Sequence, residues 1–322
     1  MKTNGVKSMP RPSVVKSDPN PQVERAILAV LVFFSLYDVG LEKRRIFELL
    51  YRASASEEQV VESLANLVSK ELIINQDELY SLEPLNFSKS QTSKYEIAKR
   101  WKRVDKYFWL LSILPFVENL SVINSLVIGN ADTESDIDFF VVTRPGKLYF
   151  TRSLIIVLFR MLGVYKTRKK IRDQFCFGFY VSSDRMSLEK VLIKPDDPLF
   201  AFWFASFAPL FGRRIYEEFV SENNWIKSYF PNFVSEQRTG FYRSIPFGSR
   251  IIKFLTEVIL WIPALIVEPM LRHIHIRHTF NLAENHLPNS TTVANEHMLK
   301  LHAIDPRIEI RARFYYALQK KA

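Results

Sequence analysis

A chain of 322 residues is long enough for two or three domains, and with 48% apolar residues it can bury sizeable cores without covalent staples. Its one cysteine, Cys176, excludes an internal disulfide and a cysteine-rich zinc site, and fits a reducing compartment. The formal charge of +10 favours polyanionic partners: nucleotide phosphates, nucleic acid or an acidic membrane surface.

The first residues, MKTNGVKSMPRPSVVKSDPNPQ, lack the apolar run of a secretory signal, and their prolines and lysines read as a disordered tail over 1–20. A cytoplasmic location is the corresponding expectation. Three stretches are strongly apolar: 26–37, 199–211 and 251–271. The first two are too short to span a bilayer, and the third carries Lys253, Glu257 and Glu268, so buried helices are expected and no transmembrane span. Residues 251–278 pair an apolar stretch with a basic end, which leaves peripheral membrane contact open.

Residues 21–90 read as three helices and a hairpin. VERAILAVLVFFSLYDVG is mostly apolar and stops at Gly40; EKRRIFELLYRA is shorter. SEEQVVESLANLVSKELI opens on Ser56 and Gln59, a capping box, and repeats Val60, Leu64, Leu67 and Val68 at helical spacing. INQDELYSL reads as two short strands around a turn at 75–77. That order is the order of a winged helix. The outward residues of the third helix, however, would be Glu57, Glu58, Glu62, Ser63, Asn66 and Ser69, with only Lys70 positive. Such a face repels phosphate, so a packing or partner-binding role is favoured over nucleic-acid binding.

A polar linker, NFSKSQTSK (86–94), leads into a basic-to-apolar helix that runs to Pro115. From there the pattern alternates: NLSVI as a strand, NSLVIG as a turn or brief helix, NADTESD as a polar loop, and IDFFVVT as a strong strand. RPGKLYFTRSLIIVLFRMLG reads as a helix, YKTRKKIRDQ as a basic loop and FCFGFYVS as a third strand. Beyond 185 the chain reads as mainly helical. The resulting division is a tail (1–20), a winged-helix-like domain (21–90), an α+β core with a small mixed sheet (91–185) and a helical region (186–322).

The chemistry concentrates in Asp136-Ile137-Asp138. Strand alternation sends both carboxylates to one face, about 6–7 Å apart at the backbone, in an otherwise apolar strand. Such a pair asks for a counter-charge. Mg²⁺ fits the request, because it takes one or two carboxylates together with phosphate oxygens and water. Solvated acids at a strand end are the alternative.

The stretch VINSLVIGNADTESDIDFFVV resembles the nucleotidyltransferase superfamily that includes DNA polymerase β and the minimal nucleotidyltransferases. Asn124-Ser125 stands where that family has Gly–Ser, and Asp136-Ile137-Asp138 supplies the acid pair. LPFVENLSV, TRPGKLYFTR and MLKLHAIDPRIEIRARF extend the likeness to a bacterial group of nucleotidyltransferase-domain proteins, covering most of the chain from about residue 25. The resemblance implies Asp136 and Asp138 as Mg²⁺ ligands and catalytic residues, with Asn124, Ser125, Gly129 and Ser135 around the nucleotide. Two departures stand out: asparagine replaces glycine at 124, and no acid lies in the third strand. Asp173, just before that strand, is the preferred third carboxylate, ahead of Asp184. Arg144, Lys147 and Arg152 follow the acidic strand and are candidates for neutralising phosphates, Lys147 foremost. The run Lys166, Arg168, Lys169, Lys170 and Arg172 reads as a solvated loop or a phosphate contact, and His273, His275 and His278 as part of a basic helix face.

The leading expectation is therefore an Mg²⁺-dependent nucleotidyltransferase, with an NTP (ATP first) as donor and a hydroxyl of an unidentified acceptor. The alternative is a nucleotidyltransferase fold that has lost catalysis and binds nucleotide or a partner. A DNA-binding regulator is a third, weaker class.

Overall fold

The computed structural model describes residues 20–284, 291–301 and 305–321. The tail read over 1–20 lies outside these residues except for Asn20, whose side chain caps the first helix by accepting from Gln22 N at 3.0 Å. The fold is α+β with a mixed sheet.

Helices α1 (Pro21–Ser35), α2 (Lys43–Glu48) and α3 (Glu57–Ser69) precede a hairpin of β1 (Ile74–Gln76) and β2 (Leu79–Ser81). The capping box at α3 forms as read: Ser56 N donates to Gln59 Oε1 at 2.9 Å and Gln59 N donates to Ser56 Oγ at 3.3 Å. The hairpin turns one step later than expected, at Asp77 and Glu78, both with positive φ. Ser63, expected on the outer face of α3, is buried.

Helix α1 is apolar on all sides, and every residue from Ala26 to Phe34 is buried. It packs against α3 and also against α7 (Pro198–Phe204) and α10 (Arg307–Lys321), where Phe33 stacks on Phe202 at 3.9 Å between ring centroids. The core of segment 21–90 is thus continuous with that of the C-terminal half.

Helix α4 (Phe87–Ser112) begins inside the stretch read as a linker, because Asn86 caps it by accepting from Lys89 N at 3.1 Å. Then follow β3 (Val117–Ile123), the short α5 (Ser125–Ile128), β4 (Ile137–Thr143), α6 (Leu148–Met161) and β5 (Phe175–Ser182). The region read as mainly helical beyond 185 is so, and it also adds three short strands to this sheet: β6 (Ala208–Phe211), β7 (Val293–Ala294) and β8 (Met298–Lys300). The six-stranded order is β6-β3-β4-β5-β8-β7, in which only the β4–β5 pair is parallel. The run PLFAFWFASFAPLFG therefore holds α7 and β6 rather than one helix. A continuous apolar run fits a buried strand as well as a buried helix, and periodicity cannot separate them. Gly212 lets the chain leave β6 close to β3: its φ is +79°, and a Cβ there would meet Glu118 O at 1.9 Å.

The rest of the C-terminal half, among the described residues, is α8 (Arg213–Glu222), three short 3₁₀ segments and the long α9 (Phe247–Glu284). Among the described residues no helix is long and apolar enough to cross a membrane. In α9 the charges at Lys253, Glu257, Glu268 and Arg272 leave no run of about 20 residues free of them.

Candidate functional site

The end of the sheet where β3 finishes and β4 and β5 begin gathers the candidate residues. Ile123 lies opposite Asp138 in the antiparallel pair, and Asp138 lies beside Cys176 in the parallel pair. Side chains in register on neighbouring strands share a face. Asp136, Asp138 and Cys176 accordingly bring one potential ligand atom each to within 4.8 Å of one another. Asp136 precedes the first residue of β4, so it leaves the apolar strand while staying beside Asp138.

Part of the required counter-charge comes from the chain itself. Lys166 Nζ meets Asp136 Oδ2 at 2.6 Å, and that oxygen has no further hydrogen-bond partner. Lys166 is placed by backbone pairing of its N–H to Phe175 O at 2.9 Å, next to the start of β5. Burial works against its ammonium, but Cys176, Asp136 and Asp138 together hold its pKa above the ordinary lysine value. Asp138 is pushed up to about 6, by burial first and by the negative charge of Asp136 second. Burial, aided by Asp138, also raises the Cys176 thiol well above its usual range.

Asn124 takes φ 62° and ψ −141°, a backbone conformation that favours glycine. Its side chain explains how asparagine is held there. Nδ2 donates to Asp138 Oδ2 at 2.8 Å, and Oδ1 accepts from the indole N–H of Trp203 on α7. A cleft of about 340 Å³ opens beyond Asn124, lined by Ser125, Tyr37, Phe200, Trp203, Lys300 and Arg307 among others. Asn124 lines this cleft and contacts Asp138; neither Asp136 nor Asp138 is among its lining residues.

Lys300 and Arg307 belong to a charged cluster. Arg307 contacts Asp197 at 2.6 Å and Asp305 at 2.7 Å, and Lys300 Nζ lies 3.5 Å from Asp305. Burial, with Arg307 second, lowers Lys300 to about 8. The cluster ties α10 to β8 and to the start of α7.

Other predicted residues go elsewhere. Asp173 does not join the acid pair: Lys99 holds it at 2.7 Å and Arg100 at 3.2 Å, both from α4. Asp184 lies past the far end of β5, where Ser182 Oγ donates to it. Lys147, past the C-terminal end of β4, sits 4.9 Å from the Trp261 ring centroid and donates to Trp261 O at 3.2 Å, so it faces α9 and not the acids. Arg144 pairs with Glu257 at 3.2 Å in the same region, and Arg152 Nε donates to His275 Nδ1 at 3.4 Å. His275 is not part of a basic face: burial, then Arg152 and His278, lowers it to about 4. Ser135 closes the acidic loop, accepting Asp132 N at 2.9 Å through its hydroxyl and Arg100 Nη2 at 2.8 Å through its carbonyl. Gly129 ends α5 with φ 102°, and its carbonyl accepts from Ser93 Oγ at 3.0 Å.

The two carboxylates suit Mg²⁺, which prefers oxygen donors and is often held by only one or two carboxylates. The Cys176 sulfur is a soft donor kept protonated by burial and adds nothing to such a site. Sequence reasoning missed Trp203 and Cys176. The parallel β4–β5 register would have revealed Cys176, whereas Trp203 is distant in sequence and had no local signal. Comparison with protein-family models, with curated proteins and with solved structures finds no match.

Proposed function

We propose that the chain is an Mg²⁺-dependent nucleotidyltransferase, with residues 91–185 as its nucleotidyltransferase-like core and 21–90 as a winged-helix-like packing unit. The observation that carries this reading is the convergence of Asp136 and Asp138 at one sheet end, with Asn124 linking Asp138 to a cleft. Asp136 and Asp138 would hold the ion, which when bound neutralises phosphate charge. Ser125 offers a hydroxyl to the phosphates, and the aromatic wall of Tyr37, Phe200 and Trp203 offers ring faces to a base. In the reaction an acceptor hydroxyl oxygen bonds to the α-phosphorus and the bond from that phosphorus to the bridging oxygen breaks. Pyrophosphate leaves with the electron pair and the hydroxyl proton passes to solvent or base. Catalysis would rest on positioning and charge neutralisation.

A second reading is favoured by one specific feature: Asp173 is bound by Lys99 and Arg100, and Asp184 lies past the far end of β5, so no third carboxylate joins the pair among the described residues. On this reading the site binds nucleotide without transferring it. The two are separated by incubating the full chain with Mg²⁺ and each α-labelled NTP across sugar, lipid and protein hydroxyl acceptors. Pyrophosphate release that disappears in Asp136→Asn and Asp138→Asn supports transfer. Calorimetric NTP binding without release supports the binding module, and neither result would leave both readings without support.

A further inference from the structure

Among the described residues, nothing covers the outward face of helix α9. Ile251, Leu255, Val258, Ile262, Leu265 and Ile266 follow one another at helical spacing and are between 44% and 71% exposed. A patch this continuous marks an interaction surface in a natural protein. Its run from Ile251 to Met270 is roughly 30 Å long by helical rise.

The charges of the helix are sorted by side. Between Phe247 and Asn281 its carboxylates are Glu257 and Glu268, and both face the domain. Glu257 accepts from Phe116 N at 2.9 Å and pairs with Arg144; Glu268 accepts from Tyr149 N at 3.0 Å and Phe150 N at 2.7 Å. Lys253 also turns inward, donating to Val117 O. Outward arginines remain at both ends of the apolar run: Arg250 at one, and Arg277, next to the exposed His273 and His278, at the other. Between Phe247 and Asn281 the outward side of the helix is therefore apolar along its middle and basic at its ends, with no carboxylate of its own.

We propose that this face lies on an anionic lipid surface, with α9 parallel to the membrane plane. Apolar side chains would enter the headgroup boundary while the terminal cations meet lipid phosphates. The inward hydrogen bonds of Glu257 and Glu268 fix the other side to the protein, so the helix lies along the surface. A second copy of the chain fits less well. Antiparallel pairing would set Arg250 against Arg277 of the other copy, and parallel pairing would set each cation against itself.

Flotation of the full chain with phosphatidylcholine vesicles, alone or with roughly 30% phosphatidylglycerol, tests the proposal. The expected result is binding to the anionic vesicles at least about tenfold above the neutral ones, weakened by salt. Replacing Ile262 and Leu265 by Asp should reduce binding about tenfold or more with an unchanged unfolding midpoint, because both side chains are exposed. Arg277→Glu should weaken binding to anionic vesicles while sparing the neutral background. Absence of flotation, or an unaffected double variant, overturns the proposal. So does a dimer in sedimentation that the double variant dissociates while neither floats, which would assign the face to a second copy.

Discussion

Asp138 is where the electrostatics of the site are most exacting. A carboxyl raised from 3.8 to about 6 in the folded state binds its proton more tightly there than in the unfolded chain. Stability is thereby lost as pH rises from about 4 to 6 and stays lost above. Asp138→Asn removes that penalty and can keep the contact with Asn124. It should stabilise the protein by about 3 kcal/mol at pH 7, and the gain should vanish near pH 4. Chemical denaturation at the two pH values checks this. Lys166→Met acts oppositely: it leaves two acids without their internal cation and should cost about 1 kcal/mol at pH 7, recovered in part by added Mg²⁺. The acid pair was legible in the sequence because alternation along a strand is a local rule. Its partners were not: Lys166, Trp203 and Cys176 arrive from other elements, through pairings that no spacing in the chain encodes.

Among the elements, α4 decides the position of the acidic loop. Arg100 is fully buried; it pairs with Glu96 at 3.0 Å and Asp173 at 3.2 Å, and its Nε and Nη2 donate to Ser135 O at 3.0 and 2.8 Å. One guanidinium thus joins α4, the residue before Asp136 and the lead into β5. Removing it takes one cation from Glu96 and Asp173, which keep Lys99 at 3.2 and 2.7 Å, and costs Ser135 O its guanidinium donors, so Arg100→Met should destabilise by about 2 kcal/mol, read by denaturant titration. Asp173→Asn should likewise lower stability while leaving affinity for Mg²⁺ unchanged, which separates its structural place from a metal-binding one. Most helices and the two strands flanking the site could be read from periodicity and capping, the Ser56–Gln59 box being the clearest case. Strands β6 and β8 could not. They are short and buried, without a period of their own, and only their pairing with β3 and β5 makes them strands.

At the scale of the molecule, α1 makes the N-terminal segment inseparable from the rest. Its far side is covered by Phe202 and Phe314, and Glu48 of α2 is paired in the interior with Arg45 and with Arg238 from a distant turn. Residues 20–90 made alone would expose that apolar side. They should lack a cooperative thermal transition, in contrast to the full chain. The same integration places the aromatic cleft between α7, α10 and the sheet end that carries the acids, so binding there would couple to the packing of both halves. All of this leads back to whether Asp136 and Asp138 share a divalent cation. Calorimetric titration of the full chain with Mg²⁺ at pH 7 and pH 5 asks it directly, because below the Asp138 pKa of about 6 a proton must be displaced. One ion per chain is predicted, weakened about tenfold at pH 5 and abolished by Asp136→Asn. Heat of binding that is absent at pH 7, or that persists unchanged at both pH values and in the variant, would contradict the account.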